Sequence, residues 1–538
     1  MNTNEFVRAN TLSAGANGTM TENGAISYFT LGSEFLDQFG KAASYRGRDI
    51  NTVWAEQEAI WAENAENALR FPFYLRMITR QTNLRDGEKT EKVQRGAGAR
   101  DEAFKRLLWI AKYHPEEFYR NLWVLPIVGS WKDLWVLLAF DGASEYLKEE
   151  EFFKVIAEGI NDENSKDLVK KYLPRIRSNS KCTTDWAKRT NAIAKRFAAA
   201  AGWSYEDYRE FKSTGRAHNF QRIICSGLYD HINWNEIPGK ALLSLVSGKF
   251  LDRRGLNDSY INWIKSQPVA KFNGYVFELG RQVNARYGRH CSLATKCTVD
   301  KQFDGLIQTA SQNGGAIEGN VLCGLDVSAS MTWSTLDKSG TMPYDVCLSL
   351  GVYFAELNKG AFHNVVADFS DHSTLRVIPD GTFSERYNYL QTHCDGWGST
   401  NFQSLVDLLV DTRKKRPEIA ESEFPTTLLV VSDMQFNPTH GNEKSNYEAA
   451  MEKIRGAFSE EFVKNFKIVW WYCTNRETSD FPSTMEDSGT YMLSGFDGAI
   501  ISFVLGGDAP KGSDNKKAPS MEDVANAALS QEALLLVR

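Results

Sequence analysis

Cysteine pairs at metal-ligand spacing are missing: the 8 cysteines are scattered along 538 residues and no Cys-x-x-Cys occurs. That removes the zinc-ribbon and disulfide-scaffold signatures, and a reducing cytoplasm is the expected setting. Long apolar runs are missing as well. No stretch approaches the roughly 18 uninterrupted apolar residues that a membrane-spanning helix needs. The opening Met1-Asn-Thr-Asn-Glu-Phe-Val-Arg8 lacks the apolar core of a secretory signal. Histidine is scarce, with 8 residues and no His-x-x-x-His pair, and no Ser-His-Asp or Cys-His set is locally suggested. Nothing in the pattern therefore points to catalysis, and a noncatalytic protein is expected.

What is present is an ordinary globular balance, 42% hydrophobic and 24% charged, long enough for several domains. The net charge of −6 hides an asymmetry. Residues 1–300 hold 43 Lys and Arg against 36 Asp and Glu, while residues 301–538 hold 19 against 32. One part of the chain can attract polyanions and the other should repel them.

The organisation changes along the chain. Residues 1–20 are polar and read as a lead-in. From there to about 315, apolar residues recur at spacings of three and four, as in Phe104, Leu107, Leu108 and Ala111. Helices of about 10–18 residues with short breaks suggest stacked helical pairs, a HEAT-like repeat. After Gly314-Gly315, apolar runs at Val321–Asp326, Asn364–Phe369, Thr427–Ser432 and Phe466–Cys473 alternate with helical stretches. This predicts a Rossmann-like α/β domain over 316–505 with a doubly wound, parallel sheet. Residues 506–538 read as a linker and a last amphipathic helix.

In such a sheet, ligands bind beyond the carboxyl ends of the strands. The first strand runs into Asp326-Val-Ser328-Ala-Ser330, a loop carries Gly398-Ser-Thr400, and the central strand runs into Asp433. Alternate residues of an extended turn face one way, so Asp326, Ser328 and Ser330 can converge. Two carboxylates with three hydroxyls form a hard-oxygen set of low charge, which suits Mg²⁺ with an outside ligand completing the octahedron. The competing reading is helix capping and turn hydrogen bonds. An aspartyl phosphotransferase would want a second carboxylate where Ser328 stands.

Leu325-Asp-Val-Ser-Ala-Ser-Met331, Gly398-Ser-Thr400 and Val431-Ser-Asp433 resemble the metal-ion-dependent adhesion site of a von Willebrand factor A domain. Joined to a helical N-terminal region, they resemble the Ro ribonucleoprotein autoantigen family, with its TROVE ring and A domain. Ala367-Asp-Phe-Ser-Asp371, Gly495-Phe-Asp-Gly-Ala499 and Gly202-Trp-Ser204 extend the likeness. Thr21-Glu-Asn-Gly-Ala25 and Gly129-Ser-Trp-Lys-Asp133 are shared with related uncharacterised bacterial and viral proteins. The resemblance implies that Asp326, Ser328, Ser330, Thr400 and Asp433 are the metal-site positions. It departs from the family pattern at Ser399 and Asn401, and at Ala200 and Ser213 in the helical part. It further implies a monomeric ring that binds noncoding or misfolded RNA by single-stranded ends, with a nuclease or other protein as a further partner.

Basic residues cluster where such an interface is expected: Lys170, Lys171, Arg175, Arg177, Lys181, Lys188, Arg189, Lys195, Arg196 and Arg216. Lys and Arg neutralise phosphates and release counterions. The same charges also serve as a solvated helix face. Arg95-Gly-Ala-Gly-Ala-Arg100 reads as a helix connection rather than a phosphate loop, because it lacks the Lys-Ser/Thr of a P-loop. The expectation is an RNA-binding scaffold with no membrane association. The alternative is a protein-binding adaptor that recruits a carboxylate through the metal, and a third class is a metal-dependent phosphoesterase on the same aspartates.

Overall fold

The computed structural model describes residues 18–538 apart from 84–88, 215–218, 285–290, 313–314, 318, 338–339, 395, 442, 477–480 and 506–518. Arg216 and the linker over 506–517 therefore lie outside the described residues. The chain is mostly helical, with a six-stranded mixed sheet in its C-terminal part. No helix among the described residues is long and apolar enough to cross a membrane.

Packing divides the chain into two compact units: residues 1–48 with 238–528, and residues 49–237 with 529–538. The helical stretch read from sequence as one domain over 21–315 is thus divided. Its last helices pack with the helices of the sheet region: Asp300 on the helix Leu293–Gln312 accepts from the Ser384 amide (2.8 Å), and Phe303 stacks on Phe383 at 4.4 Å, Ser384 and Phe383 both lying on the helix Phe383–His393.

The sheet consists of β1 (Val321–Asp326), β2 (Val365–Phe369), β3 (Ser373–Val377), β4 (Thr427–Ser432), β5 (Lys467–Tyr472) and β6 (Thr490–Ser494). Its order is β6-β5-β4-β1-β2-β3. Every pairing is parallel except β2 with β3. The wholly parallel expectation is corrected here. Ser373–Val377 alternates Ser, Thr, Leu, Arg and Val and is largely exposed, so it returns as an antiparallel edge. β1 and β4 are buried throughout, as an apolar run requires when both faces are covered.

Adjacent residues of β1 show the two layers. A Cβ on Gly324 would stand 2.5 Å from Leu405 of the helix α2 (Phe402–Lys415). Leu325, pointing the other way, closes on Gly351 of the helix α1 (Pro343–Leu357). After β3 the chain crosses to β4 on the far side of β1, so the strand ends of β1 and β4 flank the switch point of the sheet. Outside this sheet, Gly18–Met20 pairs with Ile26–Tyr28, so the lead-in read over 1–20 ends in a strand.

The second unit is a helical assembly around a charged seam. Arg76 donates to Asp133, whose carboxylate also accepts from the Ser130 amide (2.7 Å) to cap the helix Trp131–Leu138. Arg106, fully buried, bridges Glu102 (3.0 Å) and Glu56 (2.8 Å). Trp131 lies over Gly159, where any Cβ would collide with its ring. The Gly129-Ser-Trp-Lys-Asp133 segment is therefore structural. In Arg95–Arg100 the amides of Ala97, Gly98 and Ala99 donate to carbonyls of Tyr74, Met77 and Leu75, so this connection is fastened to its neighbour.

Candidate functional site

Asp326 is the last residue of β1 and is wholly buried, and Ser328 and Ser330 follow in the turn. The Asp326 carboxylate accepts from the Ser328 amide (2.9 Å), and the Ser328 and Ser330 hydroxyls are 3.1 Å apart. Its other oxygen accepts from the Ser432 hydroxyl, which itself accepts from the Met434 amide (2.9 Å). Ser432 thus laces the ends of β1 and β4 together. The sequence reading passed over it, although its place immediately before Asp433 was the signal.

Thr400 is buried and is brought between these two strand ends by backbone bonds. The Ala329 amide donates to Gly398 (3.1 Å), and the Asn437 amide donates to Thr400 (2.8 Å). The loop takes its shape from Asp371, which accepts from the Ser399 amide (3.0 Å) and the Ser399 hydroxyl. These bonds hold the Asp371 carboxyl below its usual range. Asp371 leaves no room for a Cβ at position 398. Ser399, where the chain departs from the A-domain pattern, is thus part of the loop's frame, and its hydroxyl also accepts from Asn437 (2.7 Å).

Asp433 follows β4 and is buried. One of its carboxylate oxygens accepts from the Gln435 amide (3.2 Å); the other, Oδ2, is buried with no hydrogen-bond partner. The turn is steep enough to put Met434 at φ +63°, a conformation costly for a residue with a Cβ. It is braced by the Thr21–Ala25 segment: Thr21 donates to the Phe436 carbonyl (2.7 Å) and the Glu22 amide to Gln435 (2.6 Å). Glu22 in turn pairs with Arg476 at 3.0 Å.

Burial, followed by the charge of Asp433, pushes the Asp326 carboxyl well above the ordinary carboxylate range. Burial raises Asp433 too, against the opposing influence of the Ser330 hydroxyl and the Gln435 amide. Two buried carboxylates that oppose each other's ionisation, one with an orphaned oxygen, form a place short of positive charge. Among the described residues no group of three or more His, Cys, Asp or Glu could hold a metal ion. Any cation here would draw on hydroxyls as well as carboxylates. Asp326, Ser328 and Ser330 are joined by hydrogen bonds, Asp433 is coupled to them through its charge, and Thr400 is delivered by its loop. The donor chemistry fits a hard divalent cation.

The basic set lies in the second unit and looks different. Arg196 makes a two-pronged pair with Glu149, Arg189 binds Asp141 (3.0 Å) and the Ala139 carbonyl (2.9 Å), and Lys188 pairs with Asp185 (3.0 Å). Lys170 and Lys171 lie over the rings of Phe211 and Tyr172. Arg175, Arg177, Lys181 and Lys195 are exposed. Arg177 and Lys195 line a cleft of about 520 Å³ with Trp203 and Tyr205. Trp135 and Trp234 are buried, as core tryptophans are.

Residues 320–533 match a family described as a domain of unknown function (DUF7788). The chain is also similar to "Uncharacterized protein L728" of Acanthamoeba polyphaga mimivirus, 23% identical over 529 residues, covering 91% of this chain and 85% of that protein.

Proposed function

We propose that this protein is a noncatalytic binding scaffold whose strand-end cup seats one divalent cation, Mg²⁺, and takes a carboxylate from a partner to complete the cation's shell. In this reading the sheet is a von Willebrand factor A-like domain, with Asp326, Ser328, Ser330, Thr400 and Asp433 around the metal. The observation that carries it is the buried, partnerless Oδ2 of Asp433 beside a second buried carboxylate at the switch point of the sheet. A cation relieves both the repulsion and the missing bond.

Thermal unfolding with and without Mg²⁺ tests this. Ligand at a hundredfold its dissociation constant should add about 2.7 kcal/mol to stability. Asp433→Asn, which removes the repulsion, should fold and lose the response. A Mg²⁺ shift that survives this change would refute the cup. Phosphoester hydrolysis that disappears with Asp433→Ala would replace the reading by the phosphoesterase.

The cleft at Arg177, Lys195, Trp203 and Tyr205 supports a second role, holding single-stranded ends of noncoding or misfolded RNA, with phosphates on the cations and a base on an aromatic ring. In that reading the helical unit is a HEAT-like, TROVE-like repeat. Binding of a labelled oligouridine should weaken with salt and fail in Arg177→Glu with Lys195→Glu; unchanged affinity would remove RNA from this cleft.

A further inference from the structure

Two exposed tryptophans lie on the loops that carry the cup hydroxyls. Trp333 directly follows the turn Ala329–Thr332 and is 71% exposed, the largest exposure of any large hydrophobic residue described. Its amide donates to the carbonyl of Ser330, one of the cup residues (3.2 Å). Trp397 precedes Gly398-Ser-Thr400 and is 43% exposed. The two loops are joined by the bond from Ala329 to Gly398, so both rings sit within three residues of a cup hydroxyl and on adjoining loops.

Trp397 is held in place at a cost. Its φ of +38° is unfavourable for a residue with a side chain. Its ring stacks on the buried Tyr344 at 5.6 Å, and the Tyr344 hydroxyl is fixed on the Cys394 carbonyl (2.6 Å). A large apolar ring kept half in water by a strained backbone is an anchor whose ordering cost is already met. Tryptophan is also among the residue types enriched where proteins grip one another.

We infer that Trp333 and Trp397 form an aromatic rim that selects the cup's partner: a protein segment presenting an Asp or Glu between apolar side chains. This rests on the cation-cup reading above. The residues from 301 onward carry the chain's acidic excess, which repels a polyanion such as RNA but admits a single carboxylate at a cation. The rim adds apolar contact on either side of that carboxylate.

The test uses the full chain in excess Mg²⁺ and three fluorescent, end-blocked pentapeptides, Gly-Phe-Asp-Phe-Gly, Gly-Ser-Asp-Ser-Gly and Gly-Phe-Asn-Phe-Gly, read by anisotropy. The Phe-Asp-Phe peptide should bind about tenfold more tightly than the Ser-Asp-Ser peptide, a difference of about 1.4 kcal/mol. Trp333→Ala, at an exposed position, should erase that ratio and leave Mn²⁺ binding in place. Trp397→Phe, which keeps a ring, should retain part of it. The Phe-Asn-Phe peptide, or chelation of the metal, should abolish binding. Equal binding of the two Asp peptides, unmoved by Trp333→Ala, overturns the rim and leaves the cup. Peptide binding that ignores chelation, or no binding while Mn²⁺ is held, overturns the carboxylate-capture reading along with it. Oligouridine outcompeting the Phe-Asp-Phe peptide would assign the rim to nucleic acid instead.

Discussion

The strand-end cup and the basic face of the helical unit are both clusters of charge, yet the fold treats them in opposite ways. At the cup, two carboxylates are buried where each feels the other's charge, and one keeps an oxygen without a hydrogen-bond partner. On the basic face, cations stay at the surface and several find acids that the fold brings from elsewhere, such as Glu149 on Arg196 and Asp141 on Arg189. Two buried carboxylates that repel each other are relieved by a cation, whereas an exposed, satisfied charge is compatible with solubility alone.

The sharpest way to break this contrast is at a place where the helical unit also buries charge. Asp133→Ala leaves Arg76 without its carboxylate and uncaps a helix. It should cost about 3–5 kcal/mol of stability, read by denaturant unfolding, and leave cation binding by the folded protein unchanged. A mild loss would mean that the Arg76–Asp133 pair is as dispensable as a surface pair.

A smaller effect concerns Asp37, on the helix Glu34–Lys41, which accepts from the Leu31 amide (2.6 Å). Burial raises its carboxyl from the ordinary 3.8 to about 6. A raised folded value means that the protonated form favours the fold. Its contribution is full below about pH 4 and is lost as the pH rises through 6. Asp37→Asn should flatten stability between those values by on the order of 1 kcal/mol after solvent screening. Melts at pH 4 and pH 7 that move in parallel for both proteins would contradict this.

The smallest expected effect sharpens the contrast from the basic side. Glu149→Ala releases Arg196 from its exposed pair and should raise oligouridine affinity by a few tenths of a kcal/mol to about 1. No change, at low salt, would show that this arginine is not part of an RNA surface.

What could be read from the sequence follows the same division. Val321–Asp326 and Thr427–Ser432 were legible to the residue, because a strand covered on both faces writes itself as an apolar run. With strand ends fixed, the cup follows from spacing two residues apart. Ser373–Val377 was not legible, since an exposed edge strand carries no apolar run. Nor were the acids facing Arg189 and Arg196, which lie about fifty residues away and arrive only through tertiary packing. The division of the helical stretch between two units was hidden for the same reason: periodicity marks a helix, not the neighbour against which its apolar side is buried.

The central claim is that two buried aspartates at the switch point await a cation. Titration of the full chain with Mn²⁺, followed by the spin-resonance signal of the free ion, measures this without any partner. The account predicts one Mn²⁺ per chain, displaced by Mg²⁺ and lost in both Asp326→Asn and Asp433→Asn. Undiminished binding in those two variants, or no binding by the native protein, would contradict it.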